Sequence, residues 1–291
     1  FANSVKMTSI GSNGSTGAGD YAYWRYHIEG QDLQDLSKGT SAAKAFTLSF
    51  YFKSDITGTF AISIQDANSR MCNANYTVSN TNWNRYTITI PADTTGTIAN
   101  SNASGLEINF WLVAGSNYTS GSAVHTWGAY SASSLATGFN AHVTTNGVNF
   151  YLTGVQLEVG SVATEFEHRS LGQELALCQR YYYRWTAGIA NRYLWQGQSY
   201  STTSCFGVIK EFPVTMRVAP TSTVSGTFTP FGDDGSTSGH SAFTTRPVDQ
   251  NTKHSLATGG WDNGSGVGGG GRCVVVKASA ATDYIDASAE L

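Results

Sequence analysis

The stretch from Gly147 to Trp185 constrains this chain more than any other. Its first part, Gly147 to Val159, has strand chemistry. Phe150, Leu152, Val155, Leu157 and Val159 are apolar, and Gly154 interrupts the alternation as a bulge would. After a short loop, Gly160 to Arg169, the spacing changes from that of a strand to that of a helix. Leu171, Leu175, Cys178 and Tyr182 recur at helical intervals. Ser170 stands where an N-cap is needed, and Gln173 completes a Ser-x-x-Gln capping box. The chain then returns to strand chemistry at Tyr181-Tyr182-Tyr183-Arg184-Trp185. A strand that ends one β-unit, one short helix and a strand that begins another describe a domain joint. The expected organisation is residues 1–168, a linker helix over 169–180, and residues 181–291.

Composition supports that reading. Of 291 residues, 13% are charged, about half the usual globular share, while Gly, at 32, joins many Ser, Thr and Asn on the polar side. Abundant Tyr and Phe favour strands, and Gly/Asn/Ser clusters favour turns. The expectation is an all-β chain of two β-sandwich, jelly-roll-like domains joined by one short helix, each large enough to bury a core. A net charge of −3, with 17 scattered Lys and Arg, gives no footprint for nucleic acid. No run approaches the roughly 18 apolar residues that span a bilayer, and no secretory signal pattern opens the sequence. Cys72, Cys178, Cys205 and Cys273 show no C-x-x-C spacing, so buried free thiols are expected.

Taken in order, Phe1 to Asp20 reads as a lead-in with one strand, Val5 to Ile10. Tyr21 to Glu29 alternates, with Tyr21, Tyr23, Arg25 and His27 on one side and Trp24, Tyr26 and Ile28 on the other. Asp32 to Leu36 suits a helical turn. Phe46 to Lys53 and Gly58 to Gln65 read as a hairpin around Asp55-Ile56-Thr57-Gly58. Strands are expected at Tyr76 to Ser79, Trp83 to Ile90, Leu106 to Val113 and Phe139 to Thr144. Beyond the joint they are expected at Ala190 to Ser199, Ser204 to Phe212, Thr223 to Thr229, Cys273 to Ser279 and Asp283 to Glu290. Pro230 to Arg272 reads as long loops around one or two short strands.

Three pieces of the joint, GVQLEVG, ATEFEHRS and GQELALCQRYYYR, resemble a signature of virion fibre and tail proteins of tailed phages, many of them marine. FTLSFYFKSDITGTFAISI (Phe46 to Ile64), WNRYTITIPAD (Trp83 to Asp93), FPVTMRVAPT (Phe212 to Thr221) and the final AEL extend the likeness. The resemblance implies a carbohydrate-binding-module-like β-sandwich ending at the VQLE strand, then a C-terminal β-domain for trimerisation and receptor binding. It implies a homotrimer on the virion, assembled in the host cytoplasm, with other virion proteins and host-surface carbohydrate as partners. In the carbohydrate-module analogy Glu29, Asp32 and Glu158 are calcium candidates, but no loop matches a calcium motif, so neither metal nor cofactor is expected.

No catalytic signature is present: no G-x-S-x-G, no H-E-x-x-H, and Gly264 to Gly271 lacks the Lys-Ser/Thr ending of a phosphate loop. Glu165 with Glu167, and Asp233 with Asp234, fit helix-start and turn chemistry better than a glycosidase pair. An enzyme is not expected. Sugar binding needs ring faces for stacking and polar groups for hydroxyls. The loop from Ala114 to Ser134 offers Tyr118, Trp127 and Tyr130, and the second half offers Phe231, Phe243 and Trp261. Trp24, Trp83 and Trp185 lie within strands and are assigned to the core. The sequence thus points to a phage fibre adhesin for host-surface glycan. The alternatives are a purely structural virion adaptor and, disfavoured because no long repeat is visible, a glycan-degrading tailspike.

Overall fold

The computed structural model describes residues 1–10, 16–122, 125–199, 204–206, 209–232, 252–257, 261–262 and 273–290. The chain is almost entirely β, and its contacts divide it into two compact units, Phe1–His168 and Arg169–Glu290.

In the first unit the strands are β1 (Val5–Thr8), β2 (Tyr21–Glu29), β3 (Phe46–Ser54), β4 (Gly58–Asp66), β5 (Arg70–Val78), β6 (Asn84–Ile90), β7 (Ser104–Ala114), β8 (Gly128–Ala129) and β9 (Asn149–Val159). They form two antiparallel sheets, in the orders β1-β9-β3-β6 and β2-β7-β4-β5-β8. With β8 added at one edge, this is jelly-roll connectivity. The inward residues are consistently apolar: Phe46, Leu48, Phe50 and Phe52 from β3, Phe60, Ile62 and Ile64 from β4, and Leu106, Ile108, Phe110 and Leu112 from β7. Phe50 meets Tyr76 and Phe110 edge-on, each at 5.1 Å, and Phe52 meets Phe60 at 5.1 Å, so the two sheets are joined by an aromatic cluster. A 3-10 helix, Gly30–Leu36, adds Leu33 and Leu36 to this core.

The expected β3–β4 hairpin is not formed. β3 pairs with β6 and β9, whereas β4 pairs with β5 and β7, so Asp55 to Thr57 carries the chain from one sheet to the other. Both strands have a fully apolar face, and such faces satisfy each other across the sandwich better than side by side. The Asp55 carboxylate fixes the corner, accepting hydrogen bonds from the Asn149 backbone N–H (2.9 Å) and side-chain amide (2.7 Å). The strand expected at Phe139 to Thr144 is also absent. Phe139 and Ala141 are buried there, but Asn140 turns its side-chain oxygen to the Thr59 N–H, and its own N–H donates to the Thr59 carbonyl. β5 starts six residues earlier than the sequence suggests, because Arg70 to Asn75 mixes polar residues into a run whose Cys72 and Ala74 are core. Gly154 is the anticipated bulge: its φ is +57°, and the β3–β9 register shifts between Ser49 and Tyr51. Trp83 is 43% exposed rather than core.

In the second unit the joint helix, Leu171–Gln179, carries the full capping box, Ser170 and Gln173 satisfying each other's backbone N–H groups. Arg169 pairs with Glu174 at 3.3 Å. No residue of this helix is buried, and Leu171, Leu175 and Leu177 are exposed. Cys178 is an exposed free thiol, against the expectation of burial; Cys72 is buried and free, and the other two cysteine side chains lie outside the described residues. The strands are β10 (Tyr182–Thr186), β11 (Tyr193–Ser199), β12 (Ser204–Phe206), β13 (Ile209–Glu211), β14 (Thr221–Ser225), β15 (Phe228–Gly232), β16 (Ser255–Ala257), β17 (Trp261–Asp262), β18 (Cys273–Ala278) and β19 (Tyr284–Ser288). Antiparallel sheets run β10-β19-β14, β15-β18-β11-β12-β17 and β13-β16. Tyr183 and Trp185 pack on Phe212 in the core, while Arg184 turns outward to hold Asp286 through two hydrogen bonds of 2.6 and 2.8 Å.

The aromatic core of the first unit makes a testable contrast. Phe60 is fully buried, so Phe60→Ala should lower unfolding free energy by about 3–5 kcal/mol in a denaturant titration. The Tyr76 hydroxyl is buried without a hydrogen-bond partner among the described residues. Tyr76→Phe should therefore stay within about 1 kcal/mol of the parent, or exceed it.

Candidate functional site

The alternation that sends Leu106, Ile108 and Phe110 inward sends Glu107, Asn109 and Trp111 to the opposite face of β7. Register then aligns that face across three strands. Arg25 of β2 lies opposite Asn109, and His27 opposite Glu107. On the other side of β7, Ser63 of β4 is opposite Asn109, and Gln65 opposite Glu107. Polar side chains thus converge over the centre of the five-stranded sheet, on its face away from the core.

They form one hydrogen-bonded array. The Glu107 carboxylate (Oε1) accepts from Asn109 Nδ2 (2.7 Å) and Gln65 Nε2 (3.0 Å), and pairs with the Arg25 guanidinium at 3.0 Å. Arg25 Nε donates to Asn109 Oδ1 at 2.9 Å, and Nη2 donates to the Tyr23 hydroxyl at 2.6 Å. Below them Ser63 Oγ accepts from Trp111 Nε1 at 2.9 Å. Asn109 and Trp111 are buried, whereas the Arg25 side chain is 39% exposed. Burial pushes the pKa of the Tyr23 hydroxyl upward, with the Arg25 charge acting in the opposite direction.

Aromatic rings border the array. Tyr21 and Tyr23 are stacked, with centroids 5.5 Å apart and planes at 17°. Tyr118 stands edge-on to Tyr21 at 5.4 Å and packs on Trp111 at 5.2 Å. The result is a partly exposed surface with ring faces beside fixed donors and acceptors, and with its central charges already neutralised against each other. Such a surface suits a neutral polyhydroxylated ligand, whose apolar C–H faces stack while its hydroxyls exchange hydrogen bonds.

Among the described side chains chosen from sequence, only Tyr118 joins this array. Trp127 and Tyr130 sit at the far edge of the sheet, next to β8, two strand spacings or about 10 Å beyond β4, the last strand of the array. Trp127 is part of a latch. Its ring lies 4.5 Å from Lys38 Nζ, and its Nε1 donates to the Pro91 carbonyl at 2.9 Å. Lys38 is buried between Asp66 and Asp93, 2.9 Å from the latter, and donates to the Gly96 carbonyl at 2.9 Å. Arg70 grips Asp93 with two bonds of 2.8 and 2.9 Å. Tyr130 is exposed, its backbone N–H tied to the Ser69 carbonyl. Phe231 and Trp261 fall on β15 and β17, but their side chains lie outside the described residues, as does the whole of Phe243. Asp233, Asp234 and Gly264 to Gly271 lie outside them as well.

Among the described residues no group of three His, Cys, Asp or Glu side chains is placed to hold a metal. Glu29 is buried and accepts from Gln31 at 2.9 Å, and Glu158 accepts from the Thr164 backbone N–H at 3.1 Å. Arg25, Glu107, Asn109 and Gln65 were not chosen from sequence. Their signal was the one-sided alternation of Tyr21 to His27, which becomes a site only when β2 is known to pair with β7.

No protein family matches the chain, and no curated protein matches it. Among solved structures, one described as "CBM4 structure and function" is similar at 14% identity, with a TM-score of 0.28 over 55% of this chain and 72% of that one.

The latch gives a pH prediction. Burial would raise the Asp93 pKa, but hydrogen bonds from Arg70, Lys38 and the Thr95 N–H outweigh it and hold the carboxyl below its ordinary 3.8. A carboxyl depressed in the folded state contributes stability that is present above the unfolded pKa and is lost as pH falls through the folded one. Unfolding midpoints should therefore drop as pH falls below about 4, and Asp93→Asn should flatten that dependence. Lys38→Met leaves buried Asp66 without its cation, while Asp93 keeps Arg70, and should cost about 3 kcal/mol or more at neutral pH.

Proposed function

We propose that this chain is a phage virion fibre component that attaches to host-surface glycan without cleaving it. The sugar lies across the outer face of β2, β7 and β4 in the first unit. The carrying observation is the stacked Tyr21–Tyr23 pair beside the Arg25–Glu107–Asn109 array. These side chains are held by one another and by the sheet, so little ordering entropy opposes binding. The virion assignment is supported by the joint signature from GVQLEVG to ELALCQRYYYR. Several copies on one particle would convert weak single-site binding into firm adhesion.

A glycan array probed with the purified chain tests the sugar reading. Binding should fall at least about tenfold in Tyr23→Ala and in Arg25→Ala, because each removes a ring face or a charge-assisted donor. Loss of signal in neither variant, or no glycan signal from the parent, would leave a structural adaptor as the better description.

Assembly of identical copies is part of the proposal. Leu171, Leu175 and Leu177 expose apolar surface on a nine-residue helix that is too short to be stable alone. Packing against other copies would supply what the helix lacks. Light scattering should return three times the chain mass of 31.0 kDa. Leu171→Ser with Leu175→Ser should shift the population toward monomer, and a monomeric parent would defeat the trimer.

A further inference from the structure

The other sheet of the first unit has an outer face of different chemistry. Register places Lys6 of β1 opposite Tyr151 of β9, and Tyr151 opposite Lys53 of β3. Lys6 Nζ lies 5.5 Å from the Tyr151 ring centroid and Lys53 Nζ lies 5.4 Å from it. Trp83 extends the same row. It precedes Asn84, the partner of Phe52, and its ring centroid is 6.1 Å from that of Tyr151. The adjacent row repeats the pairing, Tyr51 lying opposite Arg85 with the guanidinium 6.0 Å from the ring. Cations and rings therefore alternate across four strands, and Trp83 is 43% exposed.

Cations outnumber acids on this face. Lys6 and Lys53 have no ion pair or hydrogen bond among the described residues. Asp55 and Glu158 keep their charges, but their carboxylates turn to Asn149 and Thr164, and the cations Lys6, Lys53 and Arg85 outnumber them. In a chain of net charge −3 this is a local positive patch, too small for the broad basic surface that a polyphosphate backbone requires. An exposed indole beside two ammonium groups that lack an anionic partner among the described residues matches a polymer that alternates apolar sugar faces with anionic substituents.

We infer that the face formed by Lys6, Tyr151, Lys53 and Trp83 is a second carbohydrate site, selective for acidic polysaccharide. The anions pair with Lys6 and Lys53, which Tyr151 holds apart, and a sugar ring stacks on the exposed Trp83. It lies on a different sheet from the Tyr23–Arg25 array, so each site can be removed without the other.

The test is affinity electrophoresis of the full chain through gels containing polygalacturonate, with neutral dextran gels as the comparison. Polygalacturonate should retard the parent, and added salt should weaken the effect. Lys6→Gln with Lys53→Gln should weaken retardation about tenfold or more, and Trp83→Ala should weaken it likewise. Lys6→Arg with Lys53→Arg should retain it, and Tyr23→Ala should leave it unchanged. Thermal unfolding of the glutamine pair should match the parent, so that any loss reports on binding and not on folding. No retardation of the parent would overturn the inference. So would equal retardation of the Tyr23→Ala variant in dextran, full binding by the glutamine pair, or tighter capture of oligothymidylate than of polygalacturonate.

Discussion

The first unit depends on aromatic packing between two sheets. Phe50 and Phe52 from one sheet interlock with Phe60, Tyr76 and Phe110 from the other, mostly edge-on, at about the separations that ring quadrupoles favour. Because these rings claim one side of each strand, every second residue is committed to the opposite side. Both outer surfaces are a consequence of that commitment. The residues between the core positions of β7 become a neutralised polar array, and Tyr51 and Lys53 at the end of β3 join rows of cations and rings. Most residues of both surfaces are fixed by strands; Trp83, just before β6, and Tyr118, just after β7, are the exceptions.

Much of this was legible in the sequence and part of it was not. The capping box at Ser170 and Gln173, the bulge at Gly154 and the two-sided alternation of Tyr21 to Glu29 are local, and local patterns survive into structure. Pairing is not local. Phe46 to Lys53 and Gly58 to Gln65 are short apolar strands around a turn, which fits a hairpin and a sheet-to-sheet corner equally well. The deciding contact is Asp55 with Asn149, 94 residues away. The same limit affected the site. Tyr118, Trp127 and Tyr130 are close in sequence, yet the sheet separates Tyr118 from the other two, and Trp127 is occupied with Lys38. Arg25 and Glu107 are 82 positions apart and meet only because β2 pairs with β7.

The Lys38–Asp66–Asp93–Arg70 cluster shows how a buried ion group can be tolerated. Two cations face two carboxylates, backbone N–H groups of Thr95, Asn68 and Arg70 satisfy the remaining oxygen positions, and an indole covers the lysine. The cluster ties the loop carrying Gly96 and the segment carrying Trp127 to the ends of β4 and β5. An aromatic loop residue that resembles a ligand platform in sequence is there a lid over a charge.

Gly154 has an effect beyond the kink it makes. Before it, odd-numbered residues of β9 face outward, Tyr151 and Thr153 among them; after it, even-numbered residues do, and Gln156 and Glu158 take their place. One strand thereby does two jobs. Its first half displays a ring between two lysines. Its second half offers amide and carboxylate groups that hold the departing chain, Gln156 Oε1 accepting from the Glu167 N–H and Glu158 from Thr164. A single left-handed residue thus switches the strand from display to anchorage just before the polypeptide leaves the sandwich.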